Sequence, residues 1–147
     1  MVAAMTVIAR LCLPLLFLAA CSSEPDAALP GNAQDDQPFS GIGESEMLSL
    51  TGTEPFWSGE IVGRQLTYTT PEDMDGTRVA VSRFAGRGGL SYSGELSGQP
   101  LDIAITPAPC SDGMSDRSYP FTVTLQIGEE QRNGCGWSDA QPFTGSD

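Results

Sequence analysis

Apolar and polar residues alternate with a period of two along most of the chain after residue 46. The clearest segments are 101–106 and 121–127, in which every second residue is Leu, Ile, Val or Phe. This period is typical of strands that bury one face. The same pattern occurs at 65–69, 78–82 and 90–96 and in weaker form at 47–50 and 56–62, and residues 135–137 are expected to close the sheet. The pattern therefore predicts about eight short strands.

Turn-forming residues separate these segments. Gly, Pro, Asp and Arg cluster between them at 62–64, 71–76, 86–89, 97–100 and 128–131. No segment longer than ten residues carries the apolar stripe of a helix. Short strands with tight connections favour an all-β fold, a small antiparallel barrel or sandwich, and a closed barrel leaves no exposed sheet edge. We place this β domain at residues 46–144, followed by a short tail at 145–147.

The first twenty residues have the pattern of a secretory signal peptide. Residues 11–20 are apolar, and ten residues span only about 15 Å as a helix, half of a bilayer core. The sequence Leu18-Ala19-Ala20-Cys21 resembles the lipobox of bacterial lipoproteins, in which the signal is cut before the cysteine and its thiol is acylated. The alternative is an ordinary signal cleaved near Ala20 with Cys21 unmodified.

The lipobox resemblance implies that a lipid anchor at Cys21 attaches the protein to a membrane. Anchors with two or more acyl chains hold stably. Ser22, by resemblance to the sorting rule of enteric bacteria, suggests the outer membrane, with the domain in the periplasm. Residues 22–45 are rich in Pro, Ser, Gly and acid, so we interpret residues 21–45 as the anchor followed by a disordered tether. About 24 residues give a reach of about 27 Å.

The charge of the chain excludes several functional classes. Its net charge is −12, and all seven basic residues are Arg, with no Lys and no His. Removal of Arg10 with the signal leaves six Arg against nineteen acids, a net charge of −13. Without His the chain cannot form a serine–histidine or cysteine–histidine catalytic site, and without Lys it cannot form a Schiff base. Its negative charge disfavours binding to nucleic acid. We expect no enzymatic activity, no catalytic residue, no cofactor and no metal.

Two cysteines remain in the predicted domain, Cys110 and Cys135. Export to an oxidising compartment favours a disulfide between them, closing a loop of about 26 residues. One alternative is that both remain free thiols. Another is that the two thiolates bind a metal ion, but the chain has no His to complete such a site.

The segment Thr53-Glu54-Pro55-Phe56-Trp57 is the first candidate site. An exposed Trp57 beside the Glu54 carboxylate would be a good anchor for a partner. Alternatively, Pro55 sets the entry of a strand and Phe56 or Trp57 fills the core. We favour the structural interpretation without excluding the first.

The segment from Cys110 to Pro120 is the densest polar cluster and the second candidate site. Short Asp and Ser side chains hydrogen-bond to nearby backbone, so they explain a rigid turn without any ligand. The alternative is a binding loop in which Asp112, Asp116 and Arg117 meet a partner.

Two further groupings of acids carry less weight. Asp73-Met74-Asp75-Gly76 resembles part of a calcium loop but lacks the distal bidentate acid. Glu54 with Asp112 or Asp116 could form a glycosidase pair only at a suitable separation, and a domain of about 100 residues offers little cleft. Neither grouping changes the expectation of a non-enzymatic protein without a metal.

Several motifs together resemble a family of uncharacterised proteobacterial envelope lipoproteins. That family typically pairs Gly-Asn-Glu-Pro-Phe-Trp with Cys-x-Asp-Gly-Met-Ser and a late Gly-Cys. This chain has Gly-Thr-Glu-Pro-Phe-Trp at 52–57, Cys-Ser-Asp-Gly-Met-Ser at 110–115 and Gly-Cys at 134–135. The resemblance covers most of 50–136 and implies a shared surface formed by Glu54, Trp57, Asp112, Met114 and Ser115, with Asp116 and Arg117 beside them on the loop.

The family supplies no activity, so function rests on the residues. We expect a binding module for a periplasmic protein or cell-wall component, and the acidity of the chain favours a basic partner. One alternative is a small-ligand carrier whose barrel mouth is lined by Trp57, Tyr68, Tyr92 and Met114. Another is a lipoprotein with a structural role in envelope integrity.

Overall fold

Eight strands form from the alternating segments and close into one antiparallel barrel. The computed structural model describes residues 36–146, in which each strand pairs with its neighbour in sequence and β8 pairs back with β1. No helix occurs in this part of the chain. The prediction of an all-β fold is confirmed, and the architecture is a barrel. The strands are β1 Leu48–Thr53, β2 Phe56–Val62, β3 Gln65–Thr70, β4 Asp73–Gly86, β5 Gly89–Leu96, β6 Gln99–Cys110, β7 Tyr119–Ile127 and β8 Glu130–Ser138.

The expected signal at 1–20, the expected lipid anchor at Cys21 and most of the expected tether lie outside the described residues. None of residues 36–146 forms a helix with the length and hydropathy needed to cross a bilayer.

The interior of the barrel is filled by the apolar residues that alternate in the sequence. In β7, Phe121, Val123 and Leu125 are buried, and the residues between them face outward. Because every strand contributes one face in this way, the side chains meet in a single core cluster. The fully buried members include Leu48, Leu50, Ile61, Leu66, Leu101, Ile103 and Ile105.

The two ends of the barrel differ. The turns β1–β2, β3–β4, β5–β6 and β7–β8 lie at one end, which we call the mouth. At the opposite end, residues 39–46 pack against the barrel; we call this segment the strap and this end the closed end. Ile42 is only 2% exposed and joins the core, and Arg83 Nη2 donates to the Ile42 carbonyl at 2.8 Å. Contacts with the barrel therefore begin before the expected boundary at residue 46.

The turn expected at 71–76 is shorter in the structure. Strand β4 already begins at Asp73, with an irregular register between Tyr68 and Thr70. The Asp73 carboxylate accepts hydrogen bonds from Gly76 N at 3.1 Å and Thr77 Oγ1 at 2.8 Å. The segment that resembles a calcium loop is thus the start of a strand.

Closure of the barrel depends on its shortest ladder. β1 and β8 share four residue pairs, from Leu48–Ser138 to Thr51–Cys135, whereas β6 and β7 share eight. The predicted disulfide is present between Cys110 and Cys135, with a Cα–Cα distance of 5.6 Å. It joins β6 to β8 across β7, so the covalent bond lies directly beside the closing ladder.

Candidate functional site

The mouth contains an open cavity of about 1080 Å³. Three of the four turns of the mouth, β1–β2, β3–β4 and β5–β6, contribute to its lining, and the strands supply the rest, including its floor. The lining includes Glu54, Phe56, Tyr68, Glu72, Ile127 and Arg132. The filled core stops at this floor, so the cavity is a dish at the end of the barrel and does not continue into the interior.

Arg132 and Tyr68 form a polar pair at the floor. Arg132 Nη1 donates to the Tyr68 hydroxyl, and Arg132 Nε donates to Glu130 Oε1 at 2.8 Å. The hydrogen bond to Glu130 raises the pKa of Arg132, and the same contact lowers the pKa of Glu130. Burial raises the pKa of Tyr68, although Arg132 opposes the shift. The Tyr68 hydroxyl is therefore neutral and accepts a hydrogen bond from the Arg132 guanidinium. The Glu130 carboxylate balances the charge of Arg132.

Trp57 lies beneath this floor. Its side chain is only 3% exposed, and its ring stacks on Tyr68 with centroids 6.2 Å apart and planes 27° apart. The indole Nε1 has no hydrogen-bond partner in the part of the chain that the structure describes. Trp57 thus belongs to the core, as the structural interpretation of residues 53–57 expected. Its proposed place on an exposed shared surface is wrong, because its position in β2 points inward.

The rim of the mouth is acidic. Glu54 in the β1–β2 turn and Glu72 in the β3–β4 turn line the cavity, and Glu129 lies in the β7–β8 turn. Neither Glu54 nor Glu72 forms an ion pair among residues 36–146. Among residues 36–146, Arg132 is the one basic residue that lines the cavity. Phe56, 53% exposed, adds an apolar ring at the same rim.

Residues 111–118, which we call the clasp loop, are organised by Asp112. Its carboxylate accepts hydrogen bonds from the Met114 and Ser115 backbone N–H groups, both at 2.9 Å. It also accepts from Ser115 Oγ at 2.8 Å and from the Tyr119 hydroxyl at 3.0 Å. These donors, with the two backbone groups first, hold the pKa of Asp112 far below its usual range. Asp112 therefore shapes a rigid turn, in which Gly113 adopts a φ of 72°.

The clasp loop lies on the outer wall over the closing ladder. The disulfide fixes its start, and Thr53 Oγ1 of β1 donates to the Asp112 carbonyl at 3.4 Å. At its other end, the Arg117 guanidinium stacks over the Phe143 ring at 4.4 Å. The clasp loop thus contacts β8 through the disulfide, β1 through Thr53, and the segment after β8 through Phe143.

The structure divides the expected surface into three parts. Glu54 lies at the mouth and Trp57 in the core, whereas the other members lie in the clasp loop: Asp112, Met114, Ser115, Asp116 and Arg117. Within the loop, Met114 is 70% exposed and Asp116 is exposed, so these two face solvent. Thr53, which precedes Glu54 and contacts Asp112, links the loop to the mouth.

The residues expected to line a carrier mouth do not share one site. Tyr68 lines the mouth cavity. Trp57 and Tyr92 are buried in the core, and Met114 lies on the clasp loop. A ligand of the barrel would be confined to the dish above Tyr68.

The sequence interpretation missed Arg132 and Glu72. Arg132 stands on the inward-facing side of β8 with Gly134 and Gly136, and a charge at an interior position is a signal of a polar site. Its contact with Tyr68 joins residues 64 apart in sequence, so no local motif contains it.

No group of three or more His, Cys, Asp or Glu side chains within residues 36–146 is arranged to hold a metal ion. Comparison with protein families, with curated proteins and with solved structures finds nothing that matches this chain. The arrangement of the mouth itself therefore carries the functional argument.

Proposed function

We propose that the protein is a lipid-anchored, non-enzymatic binding module of the bacterial cell envelope, and that its mouth binds a basic periplasmic protein. The observation that carries this proposal is the convergence of acids from separate turns on one open end of the barrel. Glu54 and Glu72 line that cavity without ion pairs of their own among residues 36–146. A basic cell-wall component is the other partner that this chemistry accommodates.

Charge and shape both favour a basic side chain as the group that enters the mouth. Carboxylates at a concave site attract cations and raise the rate of encounter. The exposed ring of Phe56 at the rim supplies apolar contact and a face for a guanidinium. Arg132 adds no net charge at the floor, because Glu130 balances it.

The anchor is proposed from the lipobox resemblance and from the composition of residues 21–45. Mass spectrometry of the native protein tests it. We expect a chain that begins at Cys21 and carries acyl groups. A retained 1–20 segment or an unmodified Cys21 thiol would contradict the anchor, and with it the proposed outer-membrane location.

The binding site is tested by photocrosslinking in cells, with the reactive residue placed at Phe56 in the full-length protein. The matched control places it at Ser58, exposed on the same strand. We expect a saturable adduct with a basic protein at position 56 and none at 58. The double variant Glu54→Gln/Glu72→Gln should reduce the adduct, as should added salt.

Equal labelling at positions 56 and 58 would contradict binding at the mouth. An adduct that is unchanged by Glu54→Gln/Glu72→Gln would contradict recognition by charge. An adduct with a glycan strand in place of a protein would identify the cell-wall component as the partner.

A further inference from the structure

The β4–β5 hairpin at the closed end carries an exposed aromatic ring and an exposed cation side by side. Phe84 is 68% exposed on the outer face of β4, and Arg87 lies exposed in the turn between the strands. The ladder with β3 ends at Ala80, so the remainder of β4 extends past the β2–β3 turn. The tip of this hairpin therefore projects from the barrel.

The chain that leads to Cys21 leaves the barrel at this same tip. Phe39 N donates to the Gly86 carbonyl at 2.8 Å, one residue before Arg87. Fourteen residues lie between Cys21 and Asp36, and the fifteen Cα–Cα steps that join them span no more than about 54 Å even when fully extended. The hairpin tip is thus the part of the barrel at which the anchored chain arrives.

The charge of the hairpin contrasts with that of the whole protein. Residues 76–94 contain three Arg and no Asp or Glu, although the chain has nineteen acids. A net charge of −13 after removal of residues 1–20 repels the rest of the domain from anionic headgroups, whereas a cation near the surface is attracted. Asp36 before the strap and Glu44 on it are exposed, and Glu44 Oε1 lies 3.9 Å from Arg83 Nη1. Glu46, the other acid of the strap, accepts hydrogen bonds from Gly43 N and Ala140 N.

We infer that the tip of the β4–β5 hairpin rests on the phospholipid surface that holds the anchor, with Phe84 among the headgroups and Arg87 beside lipid phosphates. This inference rests on the proposed acylation of Cys21. Aromatic rings are favoured at the membrane interface, and an arginine there retains its charge beside the phosphates. The contact orients the barrel with its closed end toward the lipid and its mouth toward the periplasm.

The test uses the full-length acylated protein on vesicles of phosphatidylethanolamine and phosphatidylglycerol. A nitroxide label at Ser82→Cys reports from the outward face of β4 that also carries Phe84, and a label at Ser58→Cys is the control near the mouth. Collisions with lipid-soluble oxygen and with a water-soluble nickel chelate measure the depth of each label. We expect the label at position 82 to be protected from nickel and the label at 58 to be accessible.

Substitutions in the hairpin give the second arm of the test. Phe84→Ser should abolish the protection at position 82. Arg87→Gln should lower the ratio of docked to undocked hairpin about fivefold on the anionic vesicles, and should have no effect on phosphatidylcholine alone. Both variants change exposed side chains, so unfolding midpoints should stay close to that of the parent.

Three results separate the possible failures. Protein that floats with the vesicles but has equal nickel access at positions 82 and 58 would overturn the hairpin contact and leave the anchor intact. Protein that does not float would contradict both the anchor and the contact. Label broadening that depends on protein concentration without lipid would identify a second copy as the occupant of the hairpin, against the proposal.

Discussion

Gly52 and Trp57 are partners in the β1–β2 ladder, and the indole fills the space in which a side chain at position 52 would stand. A Cβ built on Gly52 would lie 2.0 Å from Nε1 of Trp57. Gly134 of β8 contacts the other side of the ring, where a Cβ would lie 2.8 Å from Cζ2. Two glycines therefore hold the indole against the closing ladder, and this explains why Gly52 and Trp57, the two ends of the Gly-x-Glu-Pro-Phe-Trp segment, are buried while the residues between them are not.

The substitution Gly52→Ala should destabilise the barrel by about 3 kcal/mol, because the added methyl overpacks a buried ring. Urea unfolding measures the change. The control Gly43→Ala meets its nearest atom at 3.6 Å and should change stability by less than about 0.5 kcal/mol. The double variant Trp57→Phe/Gly52→Ala should lose less free energy of unfolding than the sum of the losses in the two single variants. A Gly52→Ala protein as stable as the control would refute this packing.

Ile42→Ala in the strap should destabilise the protein by about 3 kcal/mol, because it leaves a cavity in the core cluster. The measurement is the free energy of unfolding of the full chain. Ser45→Ala, at an exposed position of the same segment, is the control and should be nearly neutral. Equal effects of the two substitutions would show that the strap contributes nothing to the fold.

Reduction of the Cys110–Cys135 disulfide should remove about 3.5 kcal/mol of stability, the chain-entropy value for a loop of about 26 residues. Unfolding with and without a reductant measures this loss. In the double variant Cys110→Ser/Cys135→Ser, the reductant should have no effect. Identical midpoints for the oxidised and reduced parent protein would contradict the prediction.

Asp112 should make stability depend on acid pH. The pKa of Asp112 is lower in the folded protein than in the unfolded chain. Its contribution to stability is therefore complete above the pKa of about 3.9 that an Asp has in the unfolded chain, and it declines as pH falls below that pKa. The difference in unfolding free energy between the parent and Asp112→Asn should therefore be larger at pH 6 than at pH 3. Asp116→Asn, exposed on the same loop, serves as the control. A pH-independent difference for Asp112→Asn would count against the hydrogen-bond set described for this carboxylate.

Tyr68 should titrate above the usual range of a phenol, because burial raises its pKa. The folded protein then binds the phenolic proton of Tyr68 more tightly than the unfolded chain does. The stability that this group contributes is therefore lost as pH rises through the pKa of Tyr68 in the folded protein. Carbon-13 NMR of the tyrosine ring carbons measures the titration, and Tyr68→Phe identifies the resonance. A Tyr68 signal that titrates below pH 10 would contradict its burial beside Arg132.

The strand pattern could be predicted because the core is built from one residue in two along each strand. The segments 101–106 and 121–127 lie within β6 and β7. Strand β6 continues past the alternating segment to Cys110, through an irregular register between Pro107 and Cys110 that tolerates prolines.

The candidate site was less accessible to sequence reasoning. Phe39 and Ile42 are isolated apolar residues in an otherwise polar segment, so composition alone assigns them to the tether. The contact of Arg132 with Tyr68 depends on how eight strands close, and a pattern of local alternation does not report which interior positions face one another. Asp112 was identified correctly as a turn-forming residue, since its partners Met114 and Ser115 are its neighbours in sequence.

The short β1–β8 ladder has a mechanical consequence. The strap runs directly into β1, so a pull from the N-terminal side would load the strap contacts first and then the two ladders of β1, of which the one with β8 is the shorter. The clasp loop contacts β1 at Thr53 and is tied covalently to β8, and it reinforces the barrel along the line where that force would arrive. The disulfide thus holds the clasp loop in place beside the shorter of the two ladders through which such a force would pass.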